Sequence, residues 1–464
     1  MRALVLALVL PLHAAVVGVS RPAESLTAAR IATLPPDQRP AWLDYLKRSG
    51  QQLLVDKASL AAERAHLTGP IPPMPRESAN GRSMPLSRDD AFYKSPEALH
   101  TAETLLSFQI PNGGWSKNLD MSGPARLPGQ SYTSNNISRF LGPDDFDKPA
   151  DPDWNYVGTL DNDATNTELH FLARISTAHP GPDGERFRQS FLRGLHYLLA
   201  AQYPNGGWPQ VWPLEGGYHD AITYNDNAVT ESASLLYDAS TGAGDYSFVP
   251  ADLRKQAAAA SEHAIAIILK TQLVVNAKKT VWAQQHDPLT LAPVAGRNFE
   301  PAALSAGESS DILIFLMKLA SPSPAVRAAV EAGIAWLKAN AIYGQAFVGG
   351  RRFGPTPAAA AGSPIPPAAA PPSREAASNA AVLNAPLVPG QPPAATPRHL
   401  EDTPGAGPIW ARYYSLTTGK PIFGDRDKSI HDTVDDLTVE RRNGYAWYSA
   451  GAKAALDAYA DWKK

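Results

Sequence analysis

The sequence predicts a mainly α fold in which helical hairpins stack side by side, a toroid or solenoid. Three observations predict it: several apolar stripes of helical spacing, very few runs of period two, and one helix–loop–helix unit that is used twice. Phe187, Phe191, Leu192, Leu195, Leu198 and Leu199 make one such stripe, which ends at AAQYPNGGW. Similar stripes run through TNTELHFLARIST, RKQAAAASEHAIAIILKTQ, SSDILIFLMKLAS and PAVRAAVEAGIAWLKAN. The last opens at Pro324, and proline suits the first turn of a helix. The repeated unit is Gln109-Ile-Pro-Asn-Gly-Gly-Trp115, which recurs as Gln202-Tyr-Pro-Asn-Gly-Gly-Trp208. DNDATNTELHFL follows the first copy and NDNAVTESASLL the second, each opening a further helix. Hairpins of this kind return their loops to one face when stacked.

In chain order, residues 1–20 (MRALVLALVLPLHAAVVGVS) have one early arginine, an apolar run and then small residues, the order of a signal peptide for export. A buried first helix is the alternative. Residues 21–90 form an N-terminal helical extension followed by a Pro-rich bridge. Within it Trp42, Leu43, Leu46, Leu53, Leu54 and Leu60 suggest one or two amphipathic helices lying outside the main body. The main domain spans 91–464. Residues 355–397 interrupt it with an Ala/Pro-rich insertion of low complexity, which is expected to be disordered and which a surface loop tolerates at small entropic cost. No later stretch has ~18 uninterrupted apolar residues, so no membrane span is expected once the leader is removed. The chain has no cysteine, which excludes disulfides, thiolate metal sites and a cysteine nucleophile. A net charge of −3 argues against a general nucleic-acid surface but leaves room for a local basic groove.

Two oxygen-rich clusters stand at loop-to-helix junctions: Asp161, Asn162 and Asp163 in the first repeat, and Asn225, Asp226 and Asn227 in the second. Carboxylates with amide oxygens suit a hard cation such as Ca2+. Asp and Asn at a helix start are also ordinary N-caps, so both readings stand at this point. Four cations are candidates for gripping an acidic ligand: Lys117, Arg297, Arg412 and Arg426. A guanidinium binds a carboxylate through two parallel hydrogen bonds, although a lone surface arginine more often makes an ordinary ion pair. Trp115 and Trp208 follow glycine pairs and are expected to stand more exposed than the other tryptophans. His219, His286 and His431 have no Gly-x-Ser-x-Gly partner and read as structural.

These blocks, in order, resemble the pectate lyases of polysaccharide lyase family 10: QIPNGGWSKN, TLDNDATNTELHFLAR, QYPNGGWPQVWPLEGGYHDAITYNDNA, VWAQQHDPLTLAPV, IWARYY, IFGDRD and ERRNGYAWY. The resemblance covers roughly residues 91–460 apart from the insertion. It implies an α/α toroid-like helical domain with long loops and a few short strands. It also implies cleavage of α-1,4-polygalacturonate by β-elimination with the help of Ca2+. By position, Asp161, Asn162 and Asp226 match the family's metal-binding residues, Arg426 its catalytic arginine, Arg297 and Arg412 its carboxylate-gripping arginines, and Lys117 a cleft lysine. An exported, monomeric enzyme acting on pectate follows from this resemblance and the leader.

The implied chemistry is coherent. Elimination removes the C5 proton, α to a carboxylate, and charge builds on that carboxylate, where cations stabilise it. Arginine normally holds its proton to beyond pH ~12, and neighbouring cations and desolvation disfavour its charged form, so an alkaline optimum is expected. Two other readings compete: a non-catalytic uronate-binding protein, and another helical-toroid enzyme such as a terpene cyclase, although no Asp-x-Asp-Asp motif occurs.

Overall fold

The computed structural model describes residues 16–78, 84–138, 140–350 and 397–463. Most of the expected leader, residues 1–15, and nearly all of the Ala/Pro insertion lie outside the described residues. The helices are α1 (Ala28–Ile31), α2 (Arg39–Ala65), α3 (Asp90–Tyr93), α4 (Pro96–Phe108), α5 (Asn166–Ala178) and α6 (Pro182–Ala201). They continue with α7 (Ala228–Thr241), α8 (Ala251–Thr271), α9 (Ala306–Lys318), α10 (Pro324–Ala339), α11 (Val439–Asn443) and α12 (Lys453–Trp462). The mainly α expectation holds. Pro96 and Pro324 stand in the first turns of α4 and α10, after Ser95 and Ser323, whose side chains accept from Ala98 N and Val326 N.

Consecutive helices pair, α5 with α6, α7 with α8 and α9 with α10, and the pairs stack in sequence. The helices α5, α7 and α9 bury more than half of their residues, whereas α6, α8 and α10 bury fewer than half. The stack therefore has an inner and an outer layer. Apolar faces of both layers merge into one large core from Phe108 through Leu172, Leu198, Leu236 and Ile268 to Leu337. Strands are short. Five of them form an antiparallel sheet in which Val16–Val19 pairs with Ser429–His431, then Pro421–Gly424, Tyr413–Tyr414 and Leu304–Ser305. Its first strand thus lies within the stretch expected to be leader.

The repeat goes further than two copies. Trp115, Trp208, Trp282 and Trp410 are all buried, and each donates its indole N–H to a carbonyl of the outer helix before it: Leu105, Leu198, Ile268 and Leu337, at 2.7–2.8 Å. In the first three copies the tryptophan's own carbonyl accepts from Thr159, Thr223 and Ser305, which fixes the strand leading to the next inner helix. Gln109, Gln202 and Gln272 each reach across to the following outer helix, donating to the carbonyls of Ser190, Ala260 and Ala329.

The expectation that Trp115 and Trp208 are exposed is therefore wrong; both are wholly buried. Their glycine pairs serve the packing. Gly113 and Gly206 have φ of 101° and 99°, and a Cβ on either would run into the carbonyl of Arg193 or His263 on the next outer helix.

The N-terminal helix also departs from expectation, because α2 is part of the main body. Trp42 and Tyr45 pack on Tyr203, with ring centroids 5.2 and 4.8 Å away, and the Tyr45 hydroxyl donates to Ala201 O at 2.9 Å. Leu60 joins Ile110, Tyr132, Trp154 and Val157 in a second small core. Leu43 and Leu54, which made the helix look like a separate amphipathic element, are the residues left exposed.

Candidate active site

The loops that leave the inner layer carry the site. Asp161–Asp163 and Asn225–Asn227 are one-turn 3-10 segments that lie against each other at the starts of α5 and α7. Four of these residues have left-handed backbone: Asn162 (φ 56°), Asp163 (62°), Asp226 (48°) and Asn227 (62°). Non-glycine residues adopt that region at some cost, and Asn and Asp tolerate it best. The helix-capping alternative fails here, because neither N-cap residue, Thr165 of α5 or Asn227 of α7, makes a side-chain capping bond.

Asp161 is 4% exposed, and both of its oxygens accept hydrogen bonds, Oδ2 from Lys117 Nζ at 2.5 Å and Oδ1 from Gln210 Nε2 at 2.7 Å. The Lys117 ammonium also lies 3.3 Å from the Tyr156 ring centroid. Asn162 donates to Asn118 Oδ1 at 3.1 Å. In the second turn Asn225 donates to Asp226 Oδ2 at 3.2 Å and accepts from Arg412 at 2.9 Å. Among the described residues no three His, Asp or Glu side chains converge as a metal cluster. What the paired turns offer is carboxylates and amide oxygens, a donor chemistry matched to a hard cation that takes part of its shell from elsewhere.

Beside these turns stands a cationic wall built on two rings. Phe299 and Tyr445 meet edge to face with centroids 5.1 Å apart. Around Phe299 lie the guanidinium carbons of Arg297 (5.0 Å), Arg426 (5.4 Å) and Arg441 (4.1 Å). Around Tyr445 lie those of Arg412 (4.7 Å), Arg441 (5.3 Å) and Arg297 (5.9 Å). Each arginine also has an acidic tether. Arg426 makes a two-point pair with Glu440, at 2.7 and 3.1 Å, Arg412 bonds Glu308 at 2.9 Å, and Arg297 pairs with Glu300, which also accepts from the Tyr445 hydroxyl at 2.7 Å. Arg297 and Arg426 keep 25% and 23% of their side chains exposed, enough to meet a ligand. Arg441 is buried, and burial lowers its guanidinium to about 10, with nearby Arg426 and Arg297 adding to the effect and Glu440 opposing it.

The predicted residues therefore meet. Lys117 touches Asp161 directly, and Arg412 ties the Asn225–Asn227 turn to Tyr445, where Arg297 arrives. Arg297 and Arg426 meet across Phe299. His219, His286 and His431 are all buried. Burial lowers His219 to about 3 and His286 to about 4, so neither carries a proton near neutrality. Reasoning from the sequence missed Phe299, Tyr445 and Arg441, together with the tethers Glu300, Glu308 and Glu440. One usable signal existed: Lys117, Gln210, Gln284 and Arg412 each stand two residues after a framework tryptophan, and three of them, Lys117, Gln210 and Arg412, bond the two oxygen-rich turns.

Comparison with known proteins adds to this geometry. Residues 109–349 and 392–455 match the family described as pectic acid lyase. The fold is similar to that of a family 10 polysaccharide lyase from Cellvibrio cellulosa, with 25% sequence identity and a TM-score of 0.60 over 83% of this chain and 99% of that one. It is similar also to an aspartate-to-alanine mutant of a family 10 polysaccharide lyase from that organism, in complex with trigalacturonic acid. That match has 24% identity and a TM-score of 0.60 and covers 81% of this chain and 96% of that one. No curated protein matches the sequence.

Proposed function

Because the chain belongs to the pectic acid lyase family and is a pectate lyase of polysaccharide lyase family 10, we propose that it cleaves α-1,4-polygalacturonate by Ca2+-assisted β-elimination, with Arg426 as the base. The observation that carries this reading is the gathering of Arg297, Arg412 and Arg426 around one ring pair, beside two oxygen-rich turns. A chain with a carboxylate on every sugar is the ligand such a wall suits.

Asp161, Asn162 and Asp226 would hold the Ca2+ ion, sharing it with a uronate carboxylate. When bound, the ion would supply positive charge at the carboxylate next to C5. Arg297 and Arg412 grip carboxylates of the substrate through paired N–H donors, which orients the sugar. Their tethers to Glu300 and Glu308 hold both guanidiniums in place before substrate arrives, so little reorganisation remains for the reaction. Lys117 adds a further positive charge beside Asp161. Arg426 takes the C5 proton, the electron pair becomes the C4–C5 double bond, and the C4–O bond breaks. The leaving oxygen is protonated from solvent, and the product carries an unsaturated sugar at its new end.

Gathered cations and carboxylates favour this reading over a terpene cyclase, which needs an apolar cavity. A uronate-binding protein without turnover is separated from it by one assay, the ultraviolet absorbance of the unsaturated product. Arg426→Lys should nearly abolish turnover and leave oligogalacturonate binding largely intact; near-normal turnover would reject Arg426 as the base. The wild-type rate should rise from pH 7 to about 9–10, and a flat or falling profile would reject it too. The reading extends to an exported enzyme that acts as a monomer, with a leader within residues 1–20, the site residues within 91–464, and α2 packed on that unit as part of the same body. No helix among the described residues is long and apolar enough to cross a membrane.

A further inference from the structure

We propose that Asn298 is a positioning residue of the lyase site, locking the main chain of Arg426 to the acidic loop at residues 140–148. This rests on the reading of Arg426 as the base. Asn298 is 4% exposed and sits between Arg297 and Phe299, whose side chains both belong to the cationic wall. Three hydrogen bonds from its side chain leave its own loop. Its Nδ2 donates to the Arg426 carbonyl at 2.7 Å and to Asp145 Oδ1, and its Oδ1 accepts from Phe146 N at 2.9 Å.

That pattern fixes the amide's orientation. With the amide reversed, an oxygen would face the Arg426 carbonyl and the Asp145 carboxylate, and an N–H would face the Phe146 N–H. An aspartate at 298 would meet the same conflict. Asp145 is itself held, because its Oδ2 accepts from Gly142 N at 2.6 Å and closes the turn. The same loop touches Arg426 a second time, through the Phe140 ring 4.7 Å from the guanidinium carbon. Its Phe146 ring lies 5.1 Å from Lys428 Nζ, in the turn that carries Arg426.

The Arg426 side chain is thus held by Glu440 and by the Phe140 and Phe299 rings, which aim the guanidinium. Its main chain is held within its own turn, where its N–H donates to Asp425 Oδ1 at 2.7 Å, and from outside that turn by Asn298 at its carbonyl. The Asn298 contact ties the backbone that carries the guanidinium to the loop at 140–148. A proton transfer from C5 depends on that placement to within a fraction of an ångström, whereas binding through Arg297, Arg412 and Lys117 does not.

The test is steady-state kinetics on polygalacturonate with Ca2+ for wild type, Asn298→Ala, Asn298→Ser, Asp145→Ala, the Asp145→Ala/Asn298→Ala double variant and Arg426→Lys, with a melting curve for each. The inference expects Asn298→Ala to lower kcat by about 10- to 100-fold while KM moves less than about threefold. Asn298→Ser, which keeps one donor, should recover part of the loss. Asp145→Ala should lose less, and the double variant should be no worse than Asn298→Ala alone, the non-additivity expected of one linked unit. Asp145 lies on a partly exposed loop, so its variant stays informative if Asn298→Ala does not fold. Near-normal kcat in Asn298→Ala, additive losses, or a kcat loss matched by KM and melting temperature would overturn the inference. A normal Asn298→Ala beside a dead Arg426→Lys would reject only the role of Asn298, whereas an active Arg426→Lys would reject the base assignment itself.

Discussion

The first two copies of the tryptophan framework and the last two share one skeleton and carry opposite chemistry. In every copy an indole N–H closes on the preceding outer helix, and the residue two places later is Lys117, Gln210, Gln284 or Arg412 in turn, of which Lys117 and Gln210 bond Asp161 and Arg412 bonds Asn225. In copies one and two the strand after the tryptophan leads into turns of Asp and Asn with left-handed backbone. In copy three the loop after the tryptophan carries Arg297, with Glu308 in the first turn of α9, and copy four supplies Arg412, which bonds Glu308. One half of the site is thus rich in oxygen and the other in guanidinium groups. A repeat fixes where loops emerge, and the residues placed on them decide what is bound.

The comparison is broken most severely at the cationic half. Arg426→Lys should cost on the order of 10³-fold in kcat, or about 4 kcal/mol, because it removes a proton acceptor and a two-point tether to Glu440. Framework changes should instead cost stability, and similarly in either half. Trp208→Ala and Trp282→Ala are each expected to lose about 3–5 kcal/mol by denaturant unfolding, since each empties a buried site and leaves a carbonyl without its donor. A large loss in one and none in the other would mean that the copies are not equivalent.

The oxygen-rich half is probed by Asp226→Asn. It should raise the Ca2+ concentration needed for half-maximal activity by about 10- to 100-fold and change the melting temperature little. Equal Ca2+ response in variant and wild type would remove Asp226 from the metal site.

The smallest effect expected is a gain. Asp56 on α2 is fully buried against the first copy's loop, where Gln52 and Asn112 donate to it, and burial raises its carboxyl to about 6 from 3.8. A carboxyl whose folded pKa is raised gives stability that is fully present below the unfolded value and is lost as pH rises from about 4 through 6. Asp56→Asn should therefore be more stable than wild type at pH 8, by about 1–2 kcal/mol, with the difference vanishing near pH 4. Gln52 can turn its amide to match the new side chain, which keeps the two hydrogen bonds. A melting-temperature gain equal at both pH values would show that the buried charge is not its source.

How legible this was depended on distance along the chain. Asp161 and Asp226 could be paired because their copies share Asn-Gly-Gly-Trp and lie close in sequence. The third copy was hidden by the hairpin from Val274 to Lys279, which separates Gln272 from Trp282, and the fourth by the Ala/Pro insertion before Trp410. The exposure of Trp115 and Trp208 was misread because the glycines beside them admit a neighbouring helix as readily as a ligand. α2 was misplaced because the leucines that define its stripe include exposed ones, while Trp42, Tyr45 and Asp56 make the burial. The tethers Glu300, Glu308 and Glu440 gave no signal, since a carboxylate's partner is set by tertiary approach alone.

The most direct test of a site with an oxygen-rich half and a guanidinium half acting on one sugar chain is the ultraviolet absorbance of polygalacturonate mixed with the purified protein at pH 9, with Ca2+ and then with a chelator. The account predicts a steady rise from unsaturated ends with Ca2+, and its loss on chelation. No rise with Ca2+, or an equal rise with the chelator present, would contradict it.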